Sequence, residues 1–466
     1  MQRQKIIFKH HRKVMFPLIS ILTGKLKSED ARTSNVARNT FFSGLMKACS
    51  LLCSLIVVPI TINYLNSENY GIWMAMTSII YWFAFFDIGL GNGMRNYLAE
   101  AISNGDYDKA RTYFSTAMVI LSVIAVLIGC AAVPAVYMFD LTNIFNTHGI
   151  DGHYLANVLA VAVVFSLMQF VAKNIGMVYI ALQRYAVNDF IIFLGNVLSS
   201  LAVFVLTKTT QPSLAYVVIA FTGIPVLIFL LAIIPLLRKY PQLKPSPQHI
   251  DTETARRIVS KGLGFFVIQI TSCLVIFGSA NVFISHFCGP EQVTVYNVAY
   301  KLFNVLIIGY TILISPLWNA YTDAATKGDY EWIRKTFKKS LMMWCASVIL
   351  GLVALLISGY FFRFWIGDSV TIPFIVSAYV LFYVCSFNLT NCSAYLLNGT
   401  NTIFVQIITS AILAFSYLFV IFVWGKQMKM TGIICLMGIC YLIMGIVYSY
   451  QSYLIIARKA TGIWSR

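Results

Sequence analysis

The chain has 466 residues, 59% hydrophobic and only 11% charged, with a mean hydropathy of +0.77. That balance excludes a soluble globular protein of this size, and apolar runs recurring from end to end indicate an all-α polytopic membrane protein. The net charge of +17 does not point to nucleic acid, because the basic residues gather in alternate connections, as the positive-inside rule requires.

Residues 1–40 are polar and carry nine Lys/Arg. The apolar piece after His11 is short and followed by more lysines, which is not a cleavable signal pattern. The segment reads as a cytoplasmic basic tail, either flexible or lying on the anionic inner leaflet as an amphipathic helix.

Twelve spans follow, at roughly 41–65, 71–92, 114–139, 154–176, 190–207, 214–237, 262–287, 295–317, 339–361, 372–397, 403–424 and 431–457. Each can cross about 30 Å of hydrocarbon at 1.5 Å per residue, 190–207 being the shortest. With the N-terminus inside, the inner segments hold 27 Lys/Arg and the outer loops four, namely Lys208, Arg363, Lys426 and Lys429. Both termini are therefore expected in the cytoplasm.

The second span carries the most informative stretch. Asp87, the glycines Gly89, Gly91 and Gly93, and Arg95 follow a run without charge from Gly71 to Phe86. On a helix Asp87, Gly91 and Arg95 share one drifting face. Charge facing lipid is costly, so these residues either rim a polar cavity inside the bundle or mark the helix end at the interface. GLGNG at 89–93 lacks the spacing of a phosphate loop and no strand precedes it, so it reads as helix packing or a bend.

The longest connection, 238–261, is rich in Pro and basic residues. It divides the chain into an N-terminal lobe (41–237) and a C-terminal lobe (262–457) of six spans each, with a short tail at 458–466. A repeat supports the division. RNYLAEAISNGDYDKARTYF (95–114) follows span two, and WNAYTDAATKGDYEWIRKTF (318–337) follows span eight. At an offset of 223, Gly105-Asp106-Tyr107 matches Gly328-Asp329-Tyr330 and Arg111 matches Arg334. Two like-oriented halves imply a pseudo-two-fold axis along the membrane normal and a central cavity between them. The repeated segment itself reads as a short amphipathic helix capping a hairpin, with no chemistry.

Three lysines fall inside spans: Lys47 and Lys173 toward the inner side, and Lys301 a little inside the outer boundary. Each can snorkel to the headgroups. Together they suggest a cavity of positive potential suited to an anionic ligand such as a diphosphate. Asp87 is the carboxylate well inside a span and the candidate for coupling to a Na+ or H+ gradient; the alternative is an ion pair with Arg95 or Lys47. Asp189 sits at the edge of span five. His286 reads as a polar anchor. Ten cysteines without a CxxC read as small buried hydrophobes. The sequons at Asn388, Asn391 and Asn398 lie in or beside a span and are discounted. No catalytic or metal constellation appears and no substantial outer loop is available, so neither an enzyme nor a cofactor is expected.

Gly44, Pro59 and Leu65, then YGIW (70–73), FDIGLGNGMRN (86–96) and VYNVAYKLFN (295–304) resemble the polysaccharide (O-antigen type) flippases of the multidrug/oligosaccharidyl-lipid/polysaccharide exporter superfamily. The resemblance covers the chain from about Asn35 to its end. It implies an inner-membrane carrier that turns an undecaprenyl-diphosphate-linked oligosaccharide from the inner to the outer leaflet by alternating access, in company with glycan polymerase and chain-length machinery. It places Lys47, Arg95, Lys173 and Lys301 as candidate cavity cations. An ion-coupled drug antiporter of the same superfamily, which would more naturally carry acidic cavity residues, and a membrane enzyme of glycan assembly are the alternatives.

Overall fold

The computed structural model describes residues 31–256 and 278–465, without the side chains of 31–41, 82–93, 96 and 319. The described residues are helical almost throughout. Helix α1 (Ala31–Leu65) turns at Asn66 into α2 (Ser67–Ser103), and α3 (Tyr107–Met138) follows. A short α4 (Leu141–Phe145) precedes α5 (Gly152–Ala181), α6 (Tyr185–Thr209) and α7 (Leu214–Lys239). After the connection come α8 (Ala280–Cys288), α9 (Pro290–Ile314), α10 (Leu317–Thr326), α11 (Tyr330–Ile366), α12 (Phe374–Gly399) and α13 (Phe404–Ile456). Among the described residues, nine helices are long and apolar enough to cross a membrane.

The last of these is a hairpin. Lys429 interrupts α13 with φ 54 and ψ −177. Tyr448 Oη donates to Gln406 O at 3.2 Å and Gln451 Nε2 to Thr402 O at 3.2 Å, so the chain reverses there. The expected loop between spans eleven and twelve is this tight turn.

Side-chain caps fix several starts. Asp106, Asp151 and Asp329 each accept from the backbone N–H three residues on, which satisfies an orphan donor of α3, α5 and α11. The repeat at offset 223 is built alike in both copies. Gly105 (φ 74) and Gly328 (φ 70) terminate their helices in the left-handed region. Asp106 N and Asp329 N each bond five residues back, to Ala101 O and Ala324 O at 2.9 Å.

The copies differ in what leads into this turn. Residues 95–103 continue α2 unbroken, whereas α10 is separated from α9 at Pro316. Proline has no N–H and its ring clashes with the preceding turn, so it stops α9; the matched position is Gly93, which has neither constraint. The predicted short capping helix therefore exists only in the second copy.

Helices α1–α7 pack among themselves, α1 on α6 and α5 against α2, α3 and α7. Helices α8–α13 do the same, with α12 between α9, α11 and α13. α5 and α12 are the most enclosed, while α3 and α11 turn broad apolar faces outward, such as Leu127, Met138, Leu356 and Phe364. Small residues permit close approach: a Cβ on Gly438 would stand 2.5 Å from the Phe382 ring, and one on Gly445 3.0 Å from Leu389. Cys392 and Cys440 are buried, whereas Cys130 and Cys345 are exposed on the outer faces of their helices; Asn388 is buried, which removes it as a glycan acceptor.

One end of the bundle carries the connections at 104–106, 182–184, 240–251 and 327–329 with the C-terminal residues; it is called the basic end below. The other carries Asn66, 139–151, Gly289 and 367–373 and is called the distal end.

Candidate functional site

Ser43 and Lys47 lie one turn apart on α1 and reach one carboxylate on α6. Ser43 Oγ donates to Asp189 Oδ2, and Lys47 Nζ lies 3.7 Å from the same oxygen. Asn188 Nδ2 donates to Asp189 Oδ1 at 3.4 Å. Asn188 Oδ1 in turn packs on Gly176 of α5, where a Cβ would stand only 2.2 Å away. Asp189 is 13% exposed and Lys47 61% exposed, so the ammonium remains open to further ligands. Asp189 begins about 6 Å into α6, which puts the pair at the basic-end interface. By sequence alone Asp189 is only an edge residue of the fifth span. The information the sequence lacks is that α1 and α6 are neighbours.

Lys173 stands about 12 Å from the basic end of α5. It is half-buried between fully packed Ala172 and Asn174. Asn174 Nδ2 donates to Phe170 O, while its buried Oδ1 meets no donor among the described residues. Lys301 is half-buried about 16 Å from Pro290, the first residue of α9. That is the middle of the helix, deeper than the sequence placed it, because α9 starts at Pro290 rather than 295. Asp87 lies about 30 Å and Arg95 about 42 Å along α2 from Ser67, so the helix carries both to the basic-end boundary of the hydrocarbon or beyond. Arg95 is half-buried; the side chain of Asp87 lies outside the described residues. The structure thus brings Lys47 to Asp189 and spaces Lys173 and Lys301 at two further depths.

Aromatic rings that the sequence could not single out gather beside Lys301. Tyr300 faces Tyr296 at 5.9 Å and Tyr383 at 6.2 Å, and Tyr383 leads to Tyr441 at 5.6 Å, all measured between ring centroids. Tyr300 Oη donates to Asn304 Oδ1.

Among the described residues, hydrogen bonds between the two groups of helices collect in the distal half. Thr294 Oγ1 donates to Ser67 O at 2.6 Å. Asn281 Nδ2 donates to Met74 O and Ser78 Oγ, and its Oδ1 accepts from Asn297 Nδ2 at 2.8 Å. Ser285 Oγ donates to Phe145 O, and His286 Nδ1 lies 3.1 Å from Asn143 O, which makes the histidine an anchor on α4. On the opposite flank Trp365 Nε1 donates to Leu55 O and Ser369 Oγ to Asn63 Oδ1. These bonds join the two groups of helices toward the distal end.

The sequence profile of the family described as polysaccharide biosynthesis protein matches residues 36–318. A Salmonella typhimurium protein provisionally named an O-antigen transporter is 22% identical over 321 residues, 66% of this chain and 69% of that one. Among solved structures, an inward-facing multidrug-resistance MATE transporter of the MOP superfamily superposes with a TM-score of 0.68 at 15% identity, over 88% of this chain and 95% of that one. The lipid II flippase MurJ in an inward closed conformation gives 0.63 at 12% identity, over 90% and 92%. The helical architecture is therefore that of the MATE and MurJ transporters, and the chain belongs to the polysaccharide biosynthesis protein family of multi-pass membrane proteins.

Proposed function

We propose that the protein is a flippase that moves a polyprenyl-diphosphate-linked oligosaccharide from the inner to the outer leaflet of the bacterial inner membrane, with both termini cytoplasmic. The observation that carries this reading is the combination of helix groups joined toward the distal end with lysines at successive depths from the basic end. The lobes at 41–237 and 262–457 alternate access, and the described state has its outer side closed. Lys47 takes the diphosphate at the entrance, and Arg95 lies on the same side. Lys173 and Lys301 provide point charges further in, where Tyr300 offers an aromatic face to a sugar. The lipid tail stays in the bilayer. No covalent chemistry is needed: unaided passage would desolvate a charged diphosphate and every sugar hydroxyl, and a polar path lowers that barrier. Asp87 is the site of coupling to a Na+ or H+ gradient. The match to the polysaccharide biosynthesis protein family and the similarity to a protein named for O-antigen transport support this cargo class over a drug.

The test uses proteoliposomes loaded on one leaflet with polyprenyl-diphosphate oligosaccharide, with lectin access to the other leaflet as the readout. Wild type exposes the glycan; Lys173→Ala and Lys301→Ala slow exposure at least tenfold, and Lys301→Arg restores part of it. Full rates in the Lys47→Ala/Lys173→Ala/Lys301→Ala triple variant would falsify the cationic path.

A further inference from the structure

A cavity of about 430 Å³ opens between α6 and α7 at the basic end, away from the crossing bonds between the two groups of helices. Its mouth holds Arg184 and Lys239 with Tyr240, and its walls are apolar, including Phe190, Leu194, Ile228 and Leu231. Among the described residues, no Asp or Glu lines it. Asp189 is nearby in sequence but is engaged toward α1 by Ser43 and Lys47.

The mouth is held in shape. Arg184 stacks over the Tyr240 ring at 5.7 Å. Tyr179 Oη donates to Ala232 O at 2.8 Å, which joins α5 to α7 beneath the cations. Lys239 is exposed and Arg184 half-buried, so both retain donors for an outside ligand. Ile228 lies about 16 Å along α7 from Lys239, close to half of the ~30 Å hydrocarbon thickness. Phe190 and Leu231 are largely exposed along the trough.

The geometry points to a seat for an anionic phospholipid of the bilayer, its phosphate between Arg184 and Lys239 and an acyl chain in the trough between α6 and α7. Charge complementarity selects the occupant: two cations without a carboxylate, at headgroup level, above an apolar groove one leaflet deep. A zwitterionic lipid brings its own cation into the same space and gains less. The seat also reaches the connection to the second group of helices. Tyr240 leads directly into Pro241–Leu243, whose Leu243 is buried, and Lys244 O accepts from Arg111 Nε of α3 at 2.7 Å. A lipid bound there braces the start of the 240–251 segment against α3.

The experiment is native mass spectrometry of the full chain released from nanodiscs of mixed dioleoylphosphatidylglycerol and dioleoylphosphatidylcholine, paired with a binding titration in detergent. Wild type retains phosphatidylglycerol selectively. Each of Arg184→Gln and Lys239→Gln weakens retention about fivefold, and the double variant about thirtyfold. Arg184→Lys keeps selectivity, as does Lys338→Gln, a control at another basic-end lysine. Leu194→Trp fills the trough and lowers retention with both cations intact. Equal retention of the two lipids by wild type, or unchanged selectivity in the double variant, overturns the proposal. So does preferential capture of polyprenyl diphosphate lost in the same variants, which would make the groove a cargo site. The readout is binding rather than transport, so its outcome is independent of the flippase assignment.

Discussion

Gly71 lies against the backbone of Pro290: a Cβ placed on Gly71 would stand 1.7 Å from the proline carbonyl oxygen. This contact joins the first turns of α2 and α9 at the distal end, next to the bond from Thr294 to Ser67 O. No side chain fits there without separating the helices. Gly71→Ala therefore opposes distal closure, at an overpacking cost of about 1–3 kcal/mol. The expected result is a roughly five- to hundredfold shift away from the distal-closed state. It is read as loss of disulfide cross-linking between Ser67→Cys and Thr294→Cys. Undiminished cross-linking would show that the closure does not depend on this approach.

Lys47 and Asp189 form a pair whose cation is mostly solvent-exposed, so its coupling is small. A double-mutant cycle of Lys47→Ala and Asp189→Ala on thermal unfolding is expected to give about 0.2–1 kcal/mol. Transport separates the roles. If Lys47 also meets the diphosphate, Lys47→Ala reduces transport far more than Asp189→Ala does. Equal losses would leave Lys47 as a partner of Asp189 alone.

Gly105 and Gly328 hold the same left-handed conformation 223 residues apart. Gly105→Ala and Gly328→Ala are each expected to cost about 1–2 kcal/mol, and Asn at either position less, because Asn tolerates this region. Thermal melts of the purified variants check this. Markedly unequal losses would contradict the equivalence of the two turns.

Asp106, outside the membrane, has its carboxyl held below the ordinary carboxylate range by its hydrogen bond to Lys109, with the backbone N–H of the same residue adding to it. A depressed pKa in the folded state means that the stabilisation is fully present above the unfolded-state value. It is lost as pH falls through the folded one. The N-terminal turn of α3 should therefore loosen in acid, and Asp106→Asn should remove that dependence while keeping a cap. Hydrogen exchange of the Lys109 amide as pH is lowered tests it. An identical acid response in the variant would assign the effect elsewhere.

For coupling, Asp87→Asn is expected to abolish the dependence of flipping on an imposed ion gradient while leaving the protein in the membrane. An unchanged ion response removes Asp87 from that role.

Much of this architecture is legible in the sequence. The apolar runs, the bias of Lys/Arg to alternate connections and the 223-residue repeat all follow from what a bilayer demands of a chain: satisfied backbone, basic residues on one side, turns in fixed places. The repeat was legible because its Gly-Asp-Tyr turn encodes its own geometry, a left-handed glycine followed by an N-capping aspartate. Lys47, Lys173 and Lys301 stood out for the same local reason, as charges within apolar runs.

What sequence could not supply is the identity of neighbours. Asp189 meets Ser43 across 146 residues of chain, Asn281 meets Ser78 across 203, and Trp365 meets Leu55 across 310. Nothing local marks any of these residues as a partner, because helix pairing depends on the packing of whole faces. Hydropathy and charge established a helical membrane protein with a basic side. The distal contacts between the two groups of helices, the Lys47–Asp189 pair and the cationic groove between α6 and α7 arise only once the helices pack.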